Sequence, residues 1–291
     1  MIIPSYNSEI LIGQCLERIL NQTYPHECYE VLVVDNAATD NSAEIIKRFP
    51  VEYLYEAKPG PAAARNKGIR EAKGDYLLFI DTDCLAERGL IEQHILTHLS
   101  FQKSDPLVKV VGGGIDGINR NYWAWCDHFC SWYLNHPKLA PRFEARHLPT
   151  ANLSIERKIL EKAGFFDEKM RFGEDSVFCK QVREHGYKLF FEPKARLSHI
   201  NRTSFKYFMA HAREWARIGA YTPQETPHNQ PIKIKSPVFE IIYSAYYFVY
   251  RFWELAYSWI ASGELRFFLC LPGIILNKLY FGFWLLKSRY S

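Results

Sequence analysis

The sequence has little net charge, no paired-cysteine motif and no apolar leader. Its 291 residues carry a formal net charge of +4, which is small for that length and does not indicate the clustered basic surface of a nucleic-acid-binding protein. The seven cysteines are an odd number and none forms a CxxC pair, which fits a reducing compartment better than a disulfide framework. The chain opens on MIIPSYN, without the basic and apolar regions of a signal peptide. We therefore expect an intracellular protein that binds no nucleic acid.

The first 115 residues alternate continuous apolar runs with helical patterns. Strands are predicted at 30–35, 75–81 and 107–112, and helices at 9–20, 41–48, 61–73 and 85–99. Continuous apolar strands separated by helices predict an α/β fold with a mainly parallel central sheet, covered on both faces. Ligands bind beyond the carboxyl ends of the strands in such sheets. Asp35, Asp81 and Asp83 all lie at predicted strand ends, so we treat them as one candidate site.

The second half of the chain is less regular. Residues 116–147 are rich in aromatic and turn-forming residues and predict a substrate-facing loop with short helices. Further predicted elements are helices at 154–163, 175–186 and 204–220 and a strand at 187–192. Four prolines and few apolar residues mark 222–237 as a linker. These features divide the chain into an α/β domain at 1–221, this Pro-rich linker, and an aromatic-rich helical tail at 238–291.

Two carboxylates two residues apart follow the apolar run YLLFI. Asp81 and Asp83, in the sequence DTD, therefore emerge from a buried strand. Such a pair can face one divalent cation, and Mg²⁺ and Mn²⁺ prefer these hard oxygen ligands. The spacing alone is a weak signal, since a solvated turn after a strand has the same composition. Asp35 ends an earlier strand, where it suits a hydrogen bond from a base or a ribose hydroxyl, or else caps the turn that follows.

Three further motifs carry groups that suit a transfer reaction. The segment GPAAARNKGI at 60–69 combines small residues with the positive charge of Arg65, although it also suits a helix start packed on a sheet. The segment GED at 173–175 supplies either a general base for an acceptor hydroxyl or acids that complement a helix dipole. His199 is a candidate additional metal ligand, or a structural histidine.

In their order along the chain, these motifs resemble those of the large family-2 inverting glycosyltransferases, which have the GT-A fold. The motifs are IPSYN at 3–7, VVDN at 33–36, GPAAARNKGI at 60–69, FIDTD at 79–83, a GGG turn at 112–114, TANLSIER at 150–157, GFFDEKMRFGED at 164–175 and LSH at 197–199. No single motif is decisive, but eight in the family's order are specific. The resemblance runs from residue 1 to about residue 205 and implies a GT-A type nucleotide-binding domain.

The resemblance assigns the donor side of the site by position. Pro4, Tyr6 and Asn7 lie in the loop after the first strand, which contacts the nucleotide in the family. Asp35 resembles the acid that reads the base, commonly uracil. Arg65 lies in the motif next to the nucleotide and its phosphates. The implied donor is a nucleotide-diphosphate sugar, with UDP the commoner family choice.

The resemblance also assigns a metal site. Asp83 matches the more direct metal ligand of the family motif, and Asp81 matches the acid nearer the ribose that shares the metal site. His199 matches a histidine that completes the metal site in some members. The implied cofactor is Mn²⁺ or Mg²⁺.

On the acceptor side, Asp175 resembles the catalytic base, with Glu174 beside it orienting the acceptor. Asn152 lies in the acceptor-side segment that lines the sugar. The implied activity is that of a metal-dependent, inverting hexosyltransferase acting on a hydroxyl acceptor. The composition of the C-terminal tail, and not the resemblance, suggests a lipid-linked glycan or a growing polysaccharide as that acceptor. Processive members carry QxxRW, whereas HAREW at 211–215 keeps only an Arg and a Trp with different spacing, which argues against a processive synthase.

The tail at 238–291 carries a dense set of aromatic residues. Residues 267–286 are about long enough to cross a hydrocarbon core. Pro272, Asn277 and Lys278 inside that stretch argue against an ideal spanning helix. We expect an interfacial or re-entrant association with the cytoplasmic face of a membrane, because Trp and Tyr are enriched as in interfacial belts. The alternative is a helical pair that packs on the enzyme or on a partner.

Two other functions are compatible with parts of the sequence. A nucleotidyltransferase has a related sheet but normally carries a Gly-rich, basic loop after the first strand, where this chain has PSYNSEILIG. A second alternative is a non-catalytic homologue that binds a nucleotide-sugar or serves as a membrane scaffold. Such a homologue would not need the acidic residues of the DTD and GED motifs, yet all of them are present. An inverting glycosyltransferase is therefore the main hypothesis.

Overall fold

The polypeptide divides by packing into two units, as seen in a computed structural model. The structure describes residues 1–118, 120–144, 146–170, 172–221, 249–250 and 252–290. The first unit comprises Met1–Gly117 with Asn135–Ile200, and the second comprises Ile118–Leu134 with Asn201–Ser291. The predicted linker at 222–237 and the start of the predicted tail lie outside the described residues, so the boundaries proposed there stay predictions.

The first unit is built on a mixed sheet, which has nine strands within the described residues. The strands are β1 (Ile2–Ser5), β2 (Leu32–Asp35), β3 (Glu52–Tyr55), β4 (Tyr76–Ile80), β5 (Cys84–Ala86), β6 (Val108–Gly117), β7 (Arg142–Glu144), β8 (Asn152–Glu156) and β9 (Lys188–His199). Their order is β3-β2-β1-β4-β8-β6-β9-β5, with β7 paired to β9. Pairing is parallel from β3 through β4 and between β6 and β9, and antiparallel elsewhere.

Helices cover this sheet and form most of the second unit. The helices of the first unit are α1 (Ile12–Leu20), α2 (Ser42–Ile46), α3 (Pro61–Glu71), α4 (Leu90–Ser104), α6 (Leu160–Ala163) and α7 (Glu174–Glu184). Those of the second unit are α5 (Tyr122–Ser131), α8 (Phe205–Tyr221), a helical segment at 252–261, and the C-terminal helix (Arg266–Tyr290). Strands joined by helices on a partly parallel sheet confirm the predicted α/β class.

Close approach between α3 and β1 explains the small residues of the GPAAARNKGI motif. Pro61 occupies the first turn of α3, where its missing N–H costs nothing, and the three alanines that follow are buried. A Cβ at Gly68 would lie 2.4 Å from Ile2 Cγ2. Only glycine at 68 therefore lets α3 lie this close to β1. Arg65 lies on the same helix, so the close packing of α3 also limits where its guanidinium can lie.

The structure corrects two features predicted near the GGG motif. Gly112, Gly113 and Gly114 lie within β6 and do not form a turn, since this strand runs ten residues, to Gly117. A Cβ on Gly113 would lie 2.2 Å from Asn152 Nδ2, and one on Gly112 would lie 2.6 Å from Leu148 Cδ2. The glycines are therefore needed for close packing across the sheet. Residues 154–163, predicted as one helix, begin as β8 and become helical only from the 3₁₀ turn at Arg157–Ile159.

Other predicted elements differ in extent. Residues 84–86 form β5, so the helix predicted at 85–99 begins at Leu90 and ends at Ser104. The strand predicted at 187–192 continues to His199 because β9 pairs in turn with β6, β7 and β5. The irregular segment 116–147 contains a ten-residue helix, α5, and the short strand β7.

A buried chain of hydrogen bonds joins α4 to β8. Asn152 Nδ2 donates to the carbonyls of Gly114 and Ala195, so its Oδ1 faces His94 Nε2 at 2.9 Å. His94 Nε2 therefore carries the hydrogen, and Nδ1 accepts from the Ser154 hydroxyl at 2.8 Å. His98 Nε2 lies 2.8 Å from the same hydroxyl and donates to it. Burial favours the neutral form of each histidine, because a charged imidazole here would be withdrawn from water.

This arrangement predicts a loss of stability in mild acid. Burial lowers the pKa of His94 to about 4 and that of His98 to about 3. At a pH below about 6.5, which is the pKa of a histidine in the unfolded chain, the unfolded state binds protons at these two residues and the folded state does not. Stability is thus lost as pH falls from about 6.5 toward these folded pKa values, by roughly 2 kcal/mol per histidine at about pH 5. Denaturant unfolding at neutral and acidic pH measures this loss.

A matched pair of variants isolates the cause. His98→Gln removes one of the two buried titrating groups and should make the free energy of unfolding less dependent on pH. His185 is exposed, so His185→Gln should leave the pH dependence unchanged. Equal slopes for the wild type and His98→Gln would contradict the assignment.

Candidate active site

A buried arginine joins two acidic motifs that lie far apart in the sequence. Arg65, from α3, donates through Nη2 to Asp81 Oδ1 at 2.6 Å and through Nη1 to Glu174 Oε1 at 2.5 Å. Asp81 follows β4, whereas Glu174 opens α7. Asp83 and Asp175, the other acids of these motifs, lie close enough to interact electrostatically with this group. The structure therefore brings the predicted DTD and GED motifs together around one guanidinium.

The carboxylates of this cluster hold their protons more firmly than free acids do. Burial raises the pKa of Asp81, Glu174 and Asp175, and in each case the nearby Arg65 charge opposes the effect. The arginine thus limits how far the pKa values rise. An environment that favours proton uptake by a carboxylate suits a general base.

Strand pairing sets Asp83 against His199. β5 pairs antiparallel with β9 so that Cys84 lies opposite His199, and the Ile200 N–H donates to the Asp83 carbonyl at 2.8 Å. Asp83 Oδ2 then lies 3.2 Å from His199 Nε2. The Asp83 carboxylate is half-buried and the imidazole is buried. These two groups, with Asp81 close by, form a set of oxygen and nitrogen donors at one edge of the cluster.

Such a donor set fits a divalent cation. Carboxylate oxygens are the ligands that Mg²⁺ and Mn²⁺ prefer, and an imidazole is a common additional ligand. The surplus of carboxylates over the single Arg65 guanidinium favours a bound cation electrostatically. Asp81, Asp83 and His199 are the residues that would hold it.

Asp35 is held by a tyrosine that sequence analysis missed. The Tyr53 hydroxyl donates to Asp35 Oδ2 at 2.7 Å, and the Ala38 N–H donates to Oδ1 at 2.8 Å. Burial and the bond to Asp35 raise the pKa of Tyr53 to about 12, so its hydroxyl remains a donor. Tyr53 lies on β3, a strand that sequence analysis did not predict because EYLY shows no apolar periodicity.

The loops that follow β1 and β2 are tied to each other. Asn7 Oδ1 accepts from the Thr39 N–H at 2.8 Å and lies 3.3 Å from the Thr39 hydroxyl. Asn7 and Ala37 both have positive φ, of 46° and 56°, a conformation that non-glycine residues adopt rarely and often at functional sites. Tyr6 is exposed beside Asn7, and Pro4 lies within β1 opposite Val34.

A third loop, after β3, is fixed by the Asn36 side chain. Its Nδ2 donates to the carbonyls of Glu56 and Lys58, and its Oδ1 accepts from the Gly60 N–H at 2.7 Å. Asn36 is the last residue of the VVDN motif and was not singled out by sequence analysis. The carboxyl ends of three parallel strands thus carry connected loops, which is where α/β sheets bind ligands.

Backbone contacts place Asp175 at the start of α7. Gly173, with a φ of 74°, turns the chain into the helix, and Asp175 Oδ1 accepts from the Ser176 N–H at 2.7 Å. The Thr150 backbone also donates to Asp175. Upstream, the Asn66 amide pairs with both the N–H and the carbonyl of Phe166, which pins the segment leading to α7 onto α3.

Asn152 does not join this cluster through any hydrogen bond recorded among the described residues. Its side chain is fully buried in the sheet, where it bonds to Gly114, Ala195 and His94. These contacts indicate a structural role. The predicted sugar contact of Asn152 stays a prediction, and its burial does not support it.

Known proteins similar to this chain are glycosyltransferases. The sequence profile described as Glycosyl transferase family 2 matches residues 1–164. Glycosyltransferase AglE from Haloferax volcanii is 31% identical over 198 residues, which cover 66% of this chain and 63% of AglE. The dolichyl N-acetyl-alpha-D-glucosaminyl phosphate 3-beta-D-2,3-diacetamido-2,3-dideoxy-beta-D-glucuronosyltransferase from Methanococcus voltae is 27% identical over 226 residues, which cover 72% of this chain and 68% of that enzyme. The chain therefore spans about two thirds of the length of these relatives.

Solved structures show the same fold. The mannosyltransferase PcManGT from Pyrobaculum calidifontis, in complex with GDP-Man and Mn²⁺, has a TM-score of 0.59 and 20% identity, with 99% of this chain and 85% of that chain covered. TarS 1–349 from S. aureus, in complex with UDP-GlcNAc, has a TM-score of 0.53 and 18% identity, with 78% and 68% covered. At these identities the likeness establishes the GT-A fold alone.

The sequence profile covers more than half of the chain, and it spans the loops after β1, β2 and β3, the Arg65 motif and the DTD motif. The fold of the solved neighbours agrees with that assignment. This chain belongs to glycosyl transferase family 2.

Proposed function

We propose that the protein is an inverting glycosyltransferase of the hexosyltransferase type, which moves a sugar from a nucleotide-diphosphate donor to a hydroxyl acceptor. The observation that carries this proposal is the double ion pair of Arg65. It holds Asp81, on the donor side, and Glu174, beside the candidate base, within reach of one guanidinium. A transfer reaction needs donor and acceptor groups held together in this way.

On the donor side, Asp35 would accept a hydrogen bond from the base, and the loops around Tyr6 and Asn7 would contact the nucleoside. Asp83, Asp81 and His199 would hold Mn²⁺ or Mg²⁺. A bound cation offsets the negative charge that develops on a leaving diphosphate. UDP is the proposed nucleotide. One solved neighbour binds UDP-GlcNAc and another binds GDP-Man with Mn²⁺. The identity of the nucleotide is therefore tested by the binding experiment below.

On the acceptor side, Asp175 would take the proton from the attacking hydroxyl. Its raised pKa suits that role, because a base more basic than a free aspartate accepts a proton more readily at neutral pH. Glu174, held by Arg65, would orient the acceptor. The hydroxyl oxygen bonds to the anomeric carbon from the face opposite the diphosphate, the bond to the diphosphate oxygen breaks, and the configuration inverts.

The acceptor is proposed to be a lipid-linked glycan or a growing polysaccharide. The relative from Methanococcus voltae is named for dolichyl N-acetyl-alpha-D-glucosaminyl phosphate, which is a lipid-linked sugar. One helix of this chain, at Arg266–Leu285, is long and apolar enough to cross a membrane by length and composition. We therefore place the reaction at a membrane surface and propose the cytoplasmic face.

Replacement of Asp83 should abolish metal-dependent nucleotide binding. Asp83→Ala removes a direct ligand, so the affinity for the preferred nucleotide in the presence of Mn²⁺ should fall at least roughly tenfold. Calorimetric titration of UDP, GDP and dTDP, each with and without Mn²⁺, identifies the preferred base and measures the loss. Asp75 is an exposed acid before the same strand, β4, so Asp75→Ala should bind as the wild type does. Equal affinities for both variants would refute the metal site.

Replacement of Asp175 should stop transfer and spare donor binding. Asp175→Asn is similar in size but cannot accept the proton, so the transfer rate should fall by roughly 10²–10⁴-fold. Nucleotide affinity should stay within about twofold, since Asp175 is not placed on the nucleotide. Radiolabelled sugar transfer to a lipid-linked acceptor measures the rate. An unchanged rate would exclude Asp175 as the base, and a wild type without transfer to any acceptor would favour the scaffold alternative.

Loss of the Arg65 charge should move the acid limb of the pH–rate profile. The Arg65 charge lowers the pKa of Asp81, Glu174 and Asp175 against the effect of burial. Arg65→Gln removes that charge, so the carboxylates hold protons to higher pH and the acid limb of kcat/KM moves upward. Arg65→Lys keeps the charge and should show a smaller movement. A limb that stays in place in Arg65→Gln would show that the arginine does not set the pKa of the base.

A further inference from the structure

One side of the C-terminal helix is apolar and exposed. Phe268, Leu269, Leu276, Leu279 and Phe283 fall within an arc of about 100° at the helical period of 3.6 residues per turn, so they share one side of the helix. All five are exposed, Leu269 by 66% and Leu279 by 58%. Single exposed leucines are ordinary, but a continuous apolar stripe marks an interaction surface.

The opposite side of the helix is packed within the second unit. Phe267 and Ile274 are buried there, and Asn277 Nδ2 lies 3.5 Å from the Phe208 carbonyl of α8. The Gly273 N–H donates to the Tyr122 hydroxyl of α5 at 3.0 Å. The helix is therefore fixed by one side, and its apolar stripe is exposed within the part of the chain that the structure describes.

Polar residues near its middle argue against this helix as a lone membrane span. The length and composition of Arg266–Leu285 would allow a crossing. However, Asn277 and Lys278 lie near the middle of that stretch. A crossing would carry the Lys278 charge into the hydrocarbon, at a cost of several kcal/mol on insertion scales. A helix that lies in the membrane plane avoids that cost and still covers its stripe.

The preceding helical segment extends the exposed apolar surface. Trp253, Tyr257 and Ile260, on residues 252–261, are spaced four and three residues apart and are all exposed, Tyr257 by 74%. Tryptophan and tyrosine at exposed positions are typical of helices that lie at the boundary between headgroups and acyl chains. The two helices together present the apolar and aromatic side chains that an interfacial binder needs.

Positive charge accompanies this surface. The C-terminal helix carries Arg266, which pairs with Glu264, and also Lys278 and Lys287. The Lys287 ammonium lies 4.7 Å from the Trp284 ring centroid, and the Arg213 and Arg217 guanidinium groups lie 5.7 Å and 5.4 Å from it. Both arginines pair with Glu214, which leaves a net positive charge around Trp284. That charge is complementary to anionic headgroups.

We propose that the exposed apolar side of the C-terminal helix and of residues 252–261 docks in the plane of an anionic lipid bilayer, with the cations around Trp284 meeting the headgroups. This surface adds a lipid partner to the proposed transferase. It is tested without any sugar donor, so its failure leaves the proposed reaction standing.

The test is vesicle binding by the full chain. Co-sedimentation compares vesicles of phosphatidylcholine alone with vesicles of phosphatidylcholine and phosphatidylglycerol, at low and high salt. The wild type should bind the anionic vesicles more tightly, and high salt should reduce that preference. Leu269→Glu and Leu279→Glu should each weaken binding by roughly tenfold on both kinds of vesicle. Leu96→Glu, at an exposed leucine of α4, should have no effect.

A second variant separates charge from apolar contact. The double change Arg213→Gln with Lys287→Gln should weaken binding to anionic vesicles by roughly fivefold or more per residue and leave binding to neutral vesicles unchanged. Circular dichroism and nucleotide binding show that each variant is folded. Light scattering tests whether a second copy of the chain covers the stripe instead.

Three results would overturn the proposal. One is a stable dimer that Leu279→Glu converts to a monomer, with no vesicle binding by the wild type. Another is binding that is equal on neutral and anionic vesicles and indifferent to salt. The third is vesicle binding that survives both glutamate substitutions and resists alkaline extraction, because that behaviour belongs to a spanning helix.

Discussion

The site depends on the double ion pair of Arg65. A buried guanidinium without partners would be prohibitively costly, so the fold must keep Asp81 and Glu174 within hydrogen-bonding distance of it. The two carboxylates also need the guanidinium, because they are themselves partly buried. One side chain from α3 therefore fixes the end of β4 relative to the start of α7. The distance between the two acidic motifs is set by this contact.

Close backbone packing makes the contact possible. Gly68 lets α3 lie against Ile2 of β1, and Asn66, one residue after Arg65, holds the backbone of Phe166 by two hydrogen bonds. The helix is thus clamped on one side to the sheet and on the other to the segment that leads into α7. Gly113 also allows close packing, because a Cβ there would displace Asn152 from its hydrogen bonds to the carbonyls of Gly114 and Ala195. Small residues in this chain mark places where rigid elements meet, and only some of them mark turns.

Sequence alone predicted the strands that are continuous in apolar residues and the acids that follow them. The runs before Asp35 and Asp81 are short, buried and bounded by turn residues, so their strand character was unambiguous. Strand β8 was missed because NLSIE has neither a long apolar run nor a turn before the helix that follows, and its pairing comes from antiparallel neighbours distant in sequence. Tyr53 could not be assigned to Asp35 for a related reason. Their contact depends on the parallel register of β2 and β3, which places a residue 18 positions away beside the carboxylate.

If the cluster binds a cation and a nucleotide-diphosphate as proposed, its electrostatic balance would link the two binding steps. Four carboxylates and one guanidinium leave an excess of three negative charges when all are ionised, and burial penalises that excess by raising the pKa values of Asp81, Glu174 and Asp175. A divalent cation held by Asp81, Asp83 and His199 would reduce the excess to one, so that a diphosphate would enter with less repulsion. The positive charge of that cation would also favour the ionised form of Asp175, which is the form that accepts a proton in the proposed reaction. Arg65 supplies the fixed positive charge in this balance, with or without a bound cation.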